Sequence, residues 1–432
     1  MQGSVFTEDF KLTSYWWDRS PPVATGPDRV PAAADVLVIG AGYTGLHAAI
    51  QIARGGRSVV VIDAQALGWG CSTRNGGQIS TSIKPDLATL TRRHGAETAR
   101  AILRDGHASL DFIRDFVAAE SLDCDFRVVG RFHAAHNPQA FEHLARVTQA
   151  QPEGFAVPAR IVPRADQQSE IGTEVYHGGV VYENHASVDP GRYHAGLVRL
   201  AQKAGALLIP DCAATGMVRQ GAGYRVTTAR GEIAVRDVVL ATNGYTGGLS
   251  PWHQRRIIPI GSYMIATEEL PVAVVDALIP RDRIVSDTRR VVYYYRASPD
   301  RKRILFGGRV SHAETDARRS APLLRDELVR LFPQIADVRV SHSWMGFVGY
   351  TFDTLAHTGS KDGLHHAMGY CGSGVGMASY LGMRTGQRVL GLPEGRTGIE
   401  AATFQTRPLY NGNPWFLSAA VSIYKIRDRL NL

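Results

Sequence analysis

Three glycines, Gly40, Gly42 and Gly45, stand at G-x-G-x-x-G spacing directly behind the apolar run Val36-Leu37-Val38-Ile39. An unbroken apolar run of this kind fits a parallel strand covered on both faces. In a strand–turn–helix the first glycine permits the tight turn. The second lets backbone approach a pyrophosphate, and the third lets the helix pack close to the strand. A helix starting near Thr44 would aim unpaired N–H groups and its positive dipole end at those phosphates. A second apolar run, Ser58–Ile62, ends in Asp63 and Ala64, and Asp63 lies 23 positions beyond Gly40. An acid there can accept hydrogen bonds from a ribose diol and disfavours a 2′-phosphate, which argues against NADP. This unit alone does not separate NAD from FAD.

Two further glycine-rich stretches bear on that choice. After Asp63 the chain runs "AQALGWGCSTRNGGQIS", an irregular loop carrying Arg74, Asn75, Gly76, Gly77 and Gln78. Small residues let backbone lie against a large planar ring, and backbone N–H groups can bind its oxygens and a phosphate. Much later, "VRDVVLATNGYTG" gives a short apolar strand that ends in Ala241, Thr242, Asn243 and Gly244. Near the C-terminus "GYCGSGVGMASYLG" brings Gly372, Gly374 and Val375 into the start of a helix. An elongated dinucleotide touched by several distant segments, FAD, fits this pattern better than a compact NAD.

Holding these loops requires a scaffold. Residues 1–34 read as an irregular lead-in in which Tyr15, Trp16 and Trp17 pack onto the body. Helical spacing covers 86–120, and "FRVVGRFHAAH" (126–136) reads as a strand or hairpin arm. A helix is expected from Pro190 to Gly205, with Asp189 as N-cap. Hairpins are expected around Arg230–Gly231 and around "SPDRK". From Leu364 the order is strand, glycine loop, helix.

A chain of 432 residues suggests two domains, and 44% hydrophobic with 20% charged residues suits a globular protein. Cys71, Cys124, Cys212 and Cys371 form no CxxC pair, so no zinc site, redox dithiol or disulfide framework is expected. No metal is expected, and a reducing, cytoplasmic setting fits. The N-terminus lacks an apolar signal-peptide core, and no run reaches the length of a membrane span. The net charge is +8, but only six of the 48 basic residues are lysines and no basic block stands out. Nucleic-acid binding is therefore not expected.

On the stretches "VIGAGYTGLHAAIQIA", "GWGCSTRNGGQ", "VVLATNGYTGGLSP", "RILFGGR", "WMGFVGYTFD" and "GYCGSGVG", the chain resembles the D-amino-acid oxidase/glycine oxidase-like FAD-dependent oxidoreductases. Within that family it is most similar to the γ-glutamylputrescine oxidoreductase branch. The resemblance implies an α/β fold (α+β overall): a Rossmann-like FAD-binding domain plus a substrate domain with a mixed, mainly antiparallel sheet. The expected division is a lead-in at 1–34, FAD-binding segments at 35–85, 160–250 and 340–395, substrate segments at 86–159 and 251–339, and a tail at 396–432. By similarity, Gly40, Gly42, Thr44 and Gly45 sit at the pyrophosphate, and Asp63 and Ala64 at the adenosine ribose. Arg74, Asn75, Gly76, Gly77, Thr242, Asn243, Gly372, Gly374 and Val375 follow along the flavin. Some relatives link flavin through a Cys before the last glycine loop or a His near the first; the corresponding stretches, "WMGFVGYTFD" and "GWGCSTRNGG", offer no such Cys and no His, and nothing makes Cys71 in the second a linkage, so FAD is expected to be non-covalent. Gly376 stands where sarcosine oxidase-like relatives carry a carboxylate-binding Lys, which weakens a simple sarcosine-type substrate.

The implied reaction is hydride transfer from an amine-bearing carbon to flavin N5, with hydrolysis of the product imine. The substrate is a primary or secondary amine, such as a γ-glutamylated polyamine, and oxygen or another acceptor takes the electrons. Tyr263, Trp344 and Tyr370 are the candidates for contact with the reacting centre, each with packed core as the alternative reading. His253 and His312 are candidate bases, with structural or surface histidines as the alternative. Among Tyr293, Tyr294 and Tyr295, strand alternation turns one or two toward the cavity. Arg74 needs a partner for its charge, and Glu268 and Glu269 could hold a cationic amine or form a solvated edge. Three rivals are an NAD-linked dehydrogenase, a flavin-carrying subunit that passes electrons to a partner or quinone, and a non-catalytic flavin-binding protein.

Overall fold

The opening βαβ unit is the middle of an eight-stranded sheet. The computed structural model describes residues 4–81, 83–309 and 315–430. Strand Ala33–Ile39 pairs in parallel with Val59–Ile62 on one side and with Gly231–Leu240 on the other. Leu207–Ile209 continues the parallel set beyond Val59–Ile62, and Leu364–Met368 joins Gly231–Leu240, also in parallel. Both faces of the opening strand are covered, which is why its apolar run has no polar break. Val36 and Val38 face a helical layer with Leu46, Ile50 and Leu381. Leu37 and Ile39 face the opposite layer with Tyr224, Val226 and Ile233.

The helical layer contains Tyr43–Arg54, Pro190–Lys203 and Gly374–Val389. Asp189 caps the second of these by accepting from Arg192 N at 3.0 Å, as its sequence position predicts. The hairpins at Arg230–Gly231 and around "SPDRK" form between Gly223–Thr228 and Gly231–Leu240, and between Tyr294–Ala297 and Ile304–Gly308.

A nine-stranded mixed sheet faces the first. From its Val340–Tyr350 strand it runs through Ile258–Thr267, Ile304–Gly308, Tyr294–Ala297 and Ile284–Asp287 to Arg131–Ala134. Alternation sorts its side chains. Tyr263, Ile265, Phe306, Tyr295 and Phe132 pack against the Ala317–Leu331 helix through Leu324 and Leu328. Ser262, Tyr294, Ser286, Arg131 and His133 point the other way, into a cavity.

The expected segment boundaries need correction. Strands Ala159–Val162 and Gly179–Tyr182, and Val340–Tyr350, belong to the nine-stranded sheet rather than to the dinucleotide-binding unit. Conversely, helices Leu87–His94 and Ala96–Ala119 pack in the dinucleotide unit's helical layer through Leu90, Ile102 and Ile113. The lead-in is not irregular throughout, because Phe6–Lys11 pairs in parallel with Val340–Tyr350. A four-residue strand carries no local mark of which sheet will accept its hydrogen bonds, and the choice is tertiary. Among the described residues, no helix is long and apolar enough to cross a membrane.

Candidate active site

A cavity of ≈ 1240 Å³ starts at the first glycine turn and ends against the nine-stranded sheet. Gly40 has φ +107, and a Cβ there would lie 2.8 Å from the Ala241 carbonyl oxygen. A Cβ on Gly42 would lie 2.9 Å from Ser72 Oγ. The Gly40 position therefore demands glycine, while at Gly42 a side chain would require Ser72 to move. Gly45 lies off the cavity, pressed against Val38 and Gly40, as a helix–strand contact should be. The N-cap Gly42 gives the Tyr43–Arg54 helix no side-chain cap; the Tyr43 N–H is taken by Ser72 Oγ at 3.1 Å, and the next residue, Thr44, lines the cavity at the helix's positive end. Asp63 accepts from Ala41 N at 2.8 Å and from Gln65 N at 3.1 Å, which ties it to the turn. Burial raises its pKa. A carboxylate has about four acceptor sites, so others remain for a ligand.

The second glycine loop is cross-braced by Asn75. Its Nδ2 donates to Ser72 O at 2.9 Å and to Cys71 O at 3.2 Å, while its Oδ1 accepts from Gly77 N at 2.8 Å. Gly77, at φ +65, packs against Val188 rather than lining the cavity. Arg74 finds no carboxylate among the described residues. Its guanidinium lies 4.2 Å from the Trp69 ring centroid and 4.8 Å from that of Trp17. Nη1 donates to Met345 O at 3.1 Å, and the buried Nε has no hydrogen bond. Burial lowers its pKa. Thr242, Asn243, Gly372, Gly374 and Val375 all line the same cavity. The Gly374–Val389 helix, like the first, enters it without a side-chain cap. The two helices touch through Gly382, where a Cβ would lie 2.8 Å from Thr44 Cα.

The three residues expected at the reacting centre divide. Tyr370 lines the cavity, donating to Ala367 O at 2.7 Å while the Thr44 hydroxyl donates to it at 2.5 Å. Tyr263 points into the opposite core; its hydroxyl donates to Thr315 O and accepts from Thr315 N, both at 2.9 Å. Trp344 is buried beside the cavity and donates from Nε1 to Arg74 O at 3.0 Å, so it supports the loop. Tyr294 alone of the three consecutive tyrosines lines the cavity, its hydroxyl 2.8 Å from Ser262 Oγ. His253 lies elsewhere, paired with Ser250 Oγ at 2.6 Å, and burial holds its pKa down at about 4. Glu268 pairs with Arg339, and Glu269 lies near Arg303, both off the cavity. His312 lies outside the described residues. The sheet adds residues with no earlier assignment, notably Arg131, His133 and Ser286. The alternation of Arg131 and His133 with Phe132 and Ala134 is visible in "GRFHAAH". What that face looks at is not.

The family model for FAD-dependent oxidoreductases (DAO) matches residues 35–388. The chain belongs to this family. As an FAD-dependent oxidoreductase it is 30% identical to the probable oxidoreductase OrdL of Rhizobium meliloti (strain 1021), over 92% of each chain. It is 28% identical to the gamma-glutamylputrescine oxidoreductase of Escherichia coli (strain K12), over 92% of this chain and 93% of that one. Among solved structures, glycine oxidase from Geobacillus kaustophilus superposes with a TM-score of 0.73 at 16% identity, covering 88% of this chain and 99% of that one. L-amino acid deaminase from Proteus myxofaciens superposes with a TM-score of 0.68 at 18% identity, covering 88% and 95%. At those identities the superpositions speak for the fold.

The residues of this FAD-dependent oxidoreductase fit its cofactor. Two uncapped helix N-termini and an acid with spare acceptor sites open on one cavity. The Arg74 Nε is buried beside it without a partner. Cys71 lines the cavity with its thiol pKa pushed up to about 11 by burial, so it is protonated at neutral pH.

Proposed function

We propose that this FAD-dependent oxidoreductase oxidises the carbon–nitrogen bond of a primary or secondary amine, with a γ-glutamylated polyamine as the preferred substrate and FAD held non-covalently. One observation carries this reading: the cavity runs without a break from the Gly40–Asp63 turn, past Arg74–Gly76, to the sheet face bearing Ser262, Tyr294 and Ser286. A substrate lying on that face meets the loop expected to hold the flavin. The 28% identity across nearly the whole length of a gamma-glutamylputrescine oxidoreductase supports the substrate class.

When bound, FAD supplies the two-electron acceptor for the C–H hydride, and the resulting imine hydrolyses in water to a carbonyl compound and an amine. Gly40, Gly42 and Thr44 would hold the pyrophosphate, Asp63 and Ala64 the ribose side, and Arg74 to Gly76 with Thr242 and Asn243 the length of the molecule. The N-terminus at Gly374 and Val375 supplies the positive end of a helix dipole to that cavity. An aromatic wall built from the half-buried Tyr294 and Tyr350 and the buried Tyr370 lowers an amine's pKa by desolvation, which favours the neutral form that can release hydride. Tyr294 and Ser262, already joined, offer the amine a hydroxyl acceptor.

The test is direct. The purified protein should be yellow, with flavin released on denaturation, and the flavin should bleach anaerobically on adding γ-glutamylputrescine. A flavin that stays oxidised across putrescine, γ-glutamylputrescine, spermidine and N-methyl amino acids ends the reading. Readmitting oxygen and measuring peroxide separates oxidase from dehydrogenase.

A further inference from the structure

At the far side of the cavity from the Gly40 turn, strand Arg131–Ala134 presents a cation that the protein leaves without a counter-ion. Phe132 and Ala134 are buried in the sheet's other core, so Arg131 and His133 face the cavity. Arg131 has no salt bridge among the described residues, and its buried Nε has no hydrogen bond. Its guanidinium rests 5.2 Å from the Tyr182 ring centroid. Neighbouring imidazoles do not help: burial and the Arg131 charge hold His133 down at about 3 and His185 at about 2, so both stay neutral. Two other arginines are served differently. Arg296 donates to the Gly77 and Val188 carbonyls, and Arg289 pairs with Asp287. Arg131 is itself half-buried, and a partly desolvated charge without a partner is costly, so a site that keeps one is built for a ligand of opposite sign.

The surroundings favour an anion with more than one oxygen. The Ser286 carbonyl can only accept, so His133 donates from Nδ1 to it at 3.2 Å and to the Ser286 hydroxyl at 3.0 Å. That leaves the hydroxyl proton of Ser286 for a ligand beside a planar guanidinium fork. Position adds a length. Gly76 of the flavin loop abuts Tyr294, where a Cβ on Gly76 would lie 3.1 Å from the ring. The Tyr294–Ala297 strand is separated from Arg131–Ala134 by the single strand Ile284–Asp287. Two strand spacings amount to about 10 Å.

We propose that Arg131, assisted by Ser286, binds a carboxylate carried by the substrate at the end remote from the oxidised carbon–nitrogen bond. The substrate class is then an amine bearing an acidic acyl half, with carboxylate and reacting nitrogen about 10 Å apart. A plain diamine lacks the anion, and a small amino acid is too short to reach from Arg131 to Gly76. This rests on the amine-oxidation reading of the cavity and sharpens it.

The experiment uses the full flavin-loaded protein. Wild type and Arg131→Gln are compared by anaerobic flavin reduction with γ-glutamylputrescine and with putrescine. The preference for the glutamyl compound, as a ratio of kcat/KM values, should fall by about 10- to 100-fold, the range for a hydrogen bond to a charged group. Most of the fall should lie in KM. A ratio within twofold of wild type overturns the proposal while leaving amine oxidation in place. A second measurement needs neither turnover nor a variant. Glutarate should perturb the flavin absorbance of the wild type at concentrations where glutaramide does not. Equal responses to the two overturn the proposal even if no amine bleaches the flavin and even if Arg131→Gln fails to fold. Arg131→Lys, which keeps the charge and loses the fork, should recover part of the preference.

Discussion

Single side chains in this protein are best understood by asking which side of a strand they occupy. Tyr263 and Tyr294 lie in neighbouring regions of one sheet, yet one faces a core and the other a cavity. Tyr263→Phe should leave flavin reduction by amines at wild-type rates and cost about 1–3 kcal/mol of stability, because the Thr315 N–H loses its buried acceptor. Tyr294→Phe should do the reverse. It should slow flavin reduction about fivefold through the lost hydroxyl, a ~1 kcal/mol hydrogen bond, with little effect on the unfolding midpoint. Stopped-flow reduction alongside urea denaturation checks both. Equal effects of the two substitutions on reduction would remove the distinction drawn between the faces.

The two helices that open on the cavity depend on one another. Gly382 lets the Gly374–Val389 helix approach Thr44 of the Tyr43–Arg54 helix, and Gly386 does the same at Ala48. Thr44 and Tyr370 are then joined by a hydroxyl–hydroxyl bond. Gly382→Val inserts branched carbon where no space exists, and overpacking of this kind costs about 1–3 kcal/mol. The expected result is a lower thermal midpoint together with reduced flavin retention on gel filtration, since separating the helices moves both uncapped N-termini. A variant that loses stability but retains FAD at full stoichiometry would show that the contact serves packing alone. The glycine spacing that permits this contact stands in "SYLGMRTGQ", but a helix–helix approach cannot be told from a tolerated glycine until the partner is known.

Across the molecule, buried neutral histidines set a pH response. Burial holds His47 at about 3 and His194 at about 4, as it does His133 at about 3. In the unfolded chain a histidine titrates near pH 6.5. Between those values the unfolded state binds more protons than the native state, so stability rises with pH across that window and falls as pH drops below about 6.5. Each such group adds up to about 1.4 kcal/mol per pH unit to the slope. Urea titrations from pH 7.5 to 4.5 should show this loss, and a flat profile would contradict it. Much of this protein was legible in the chain. The apolar runs and glycine spacing placed the first dinucleotide-binding unit, Asp189 capped the expected helix, and the alternation in "VVYYYRA" foretold that the tyrosines would divide. These are local rules, in which a few neighbours decide the outcome through sterics and hydrogen bonding. Sheet membership of 159–182 and 340–350, the packing of Tyr263 and Trp344 into two different clusters, and the exposure of Arg131 to the cavity were settled only by folding. Each depends on strands and helices distant in sequence meeting in one register, and no residue carries a record of a partner it has yet to touch.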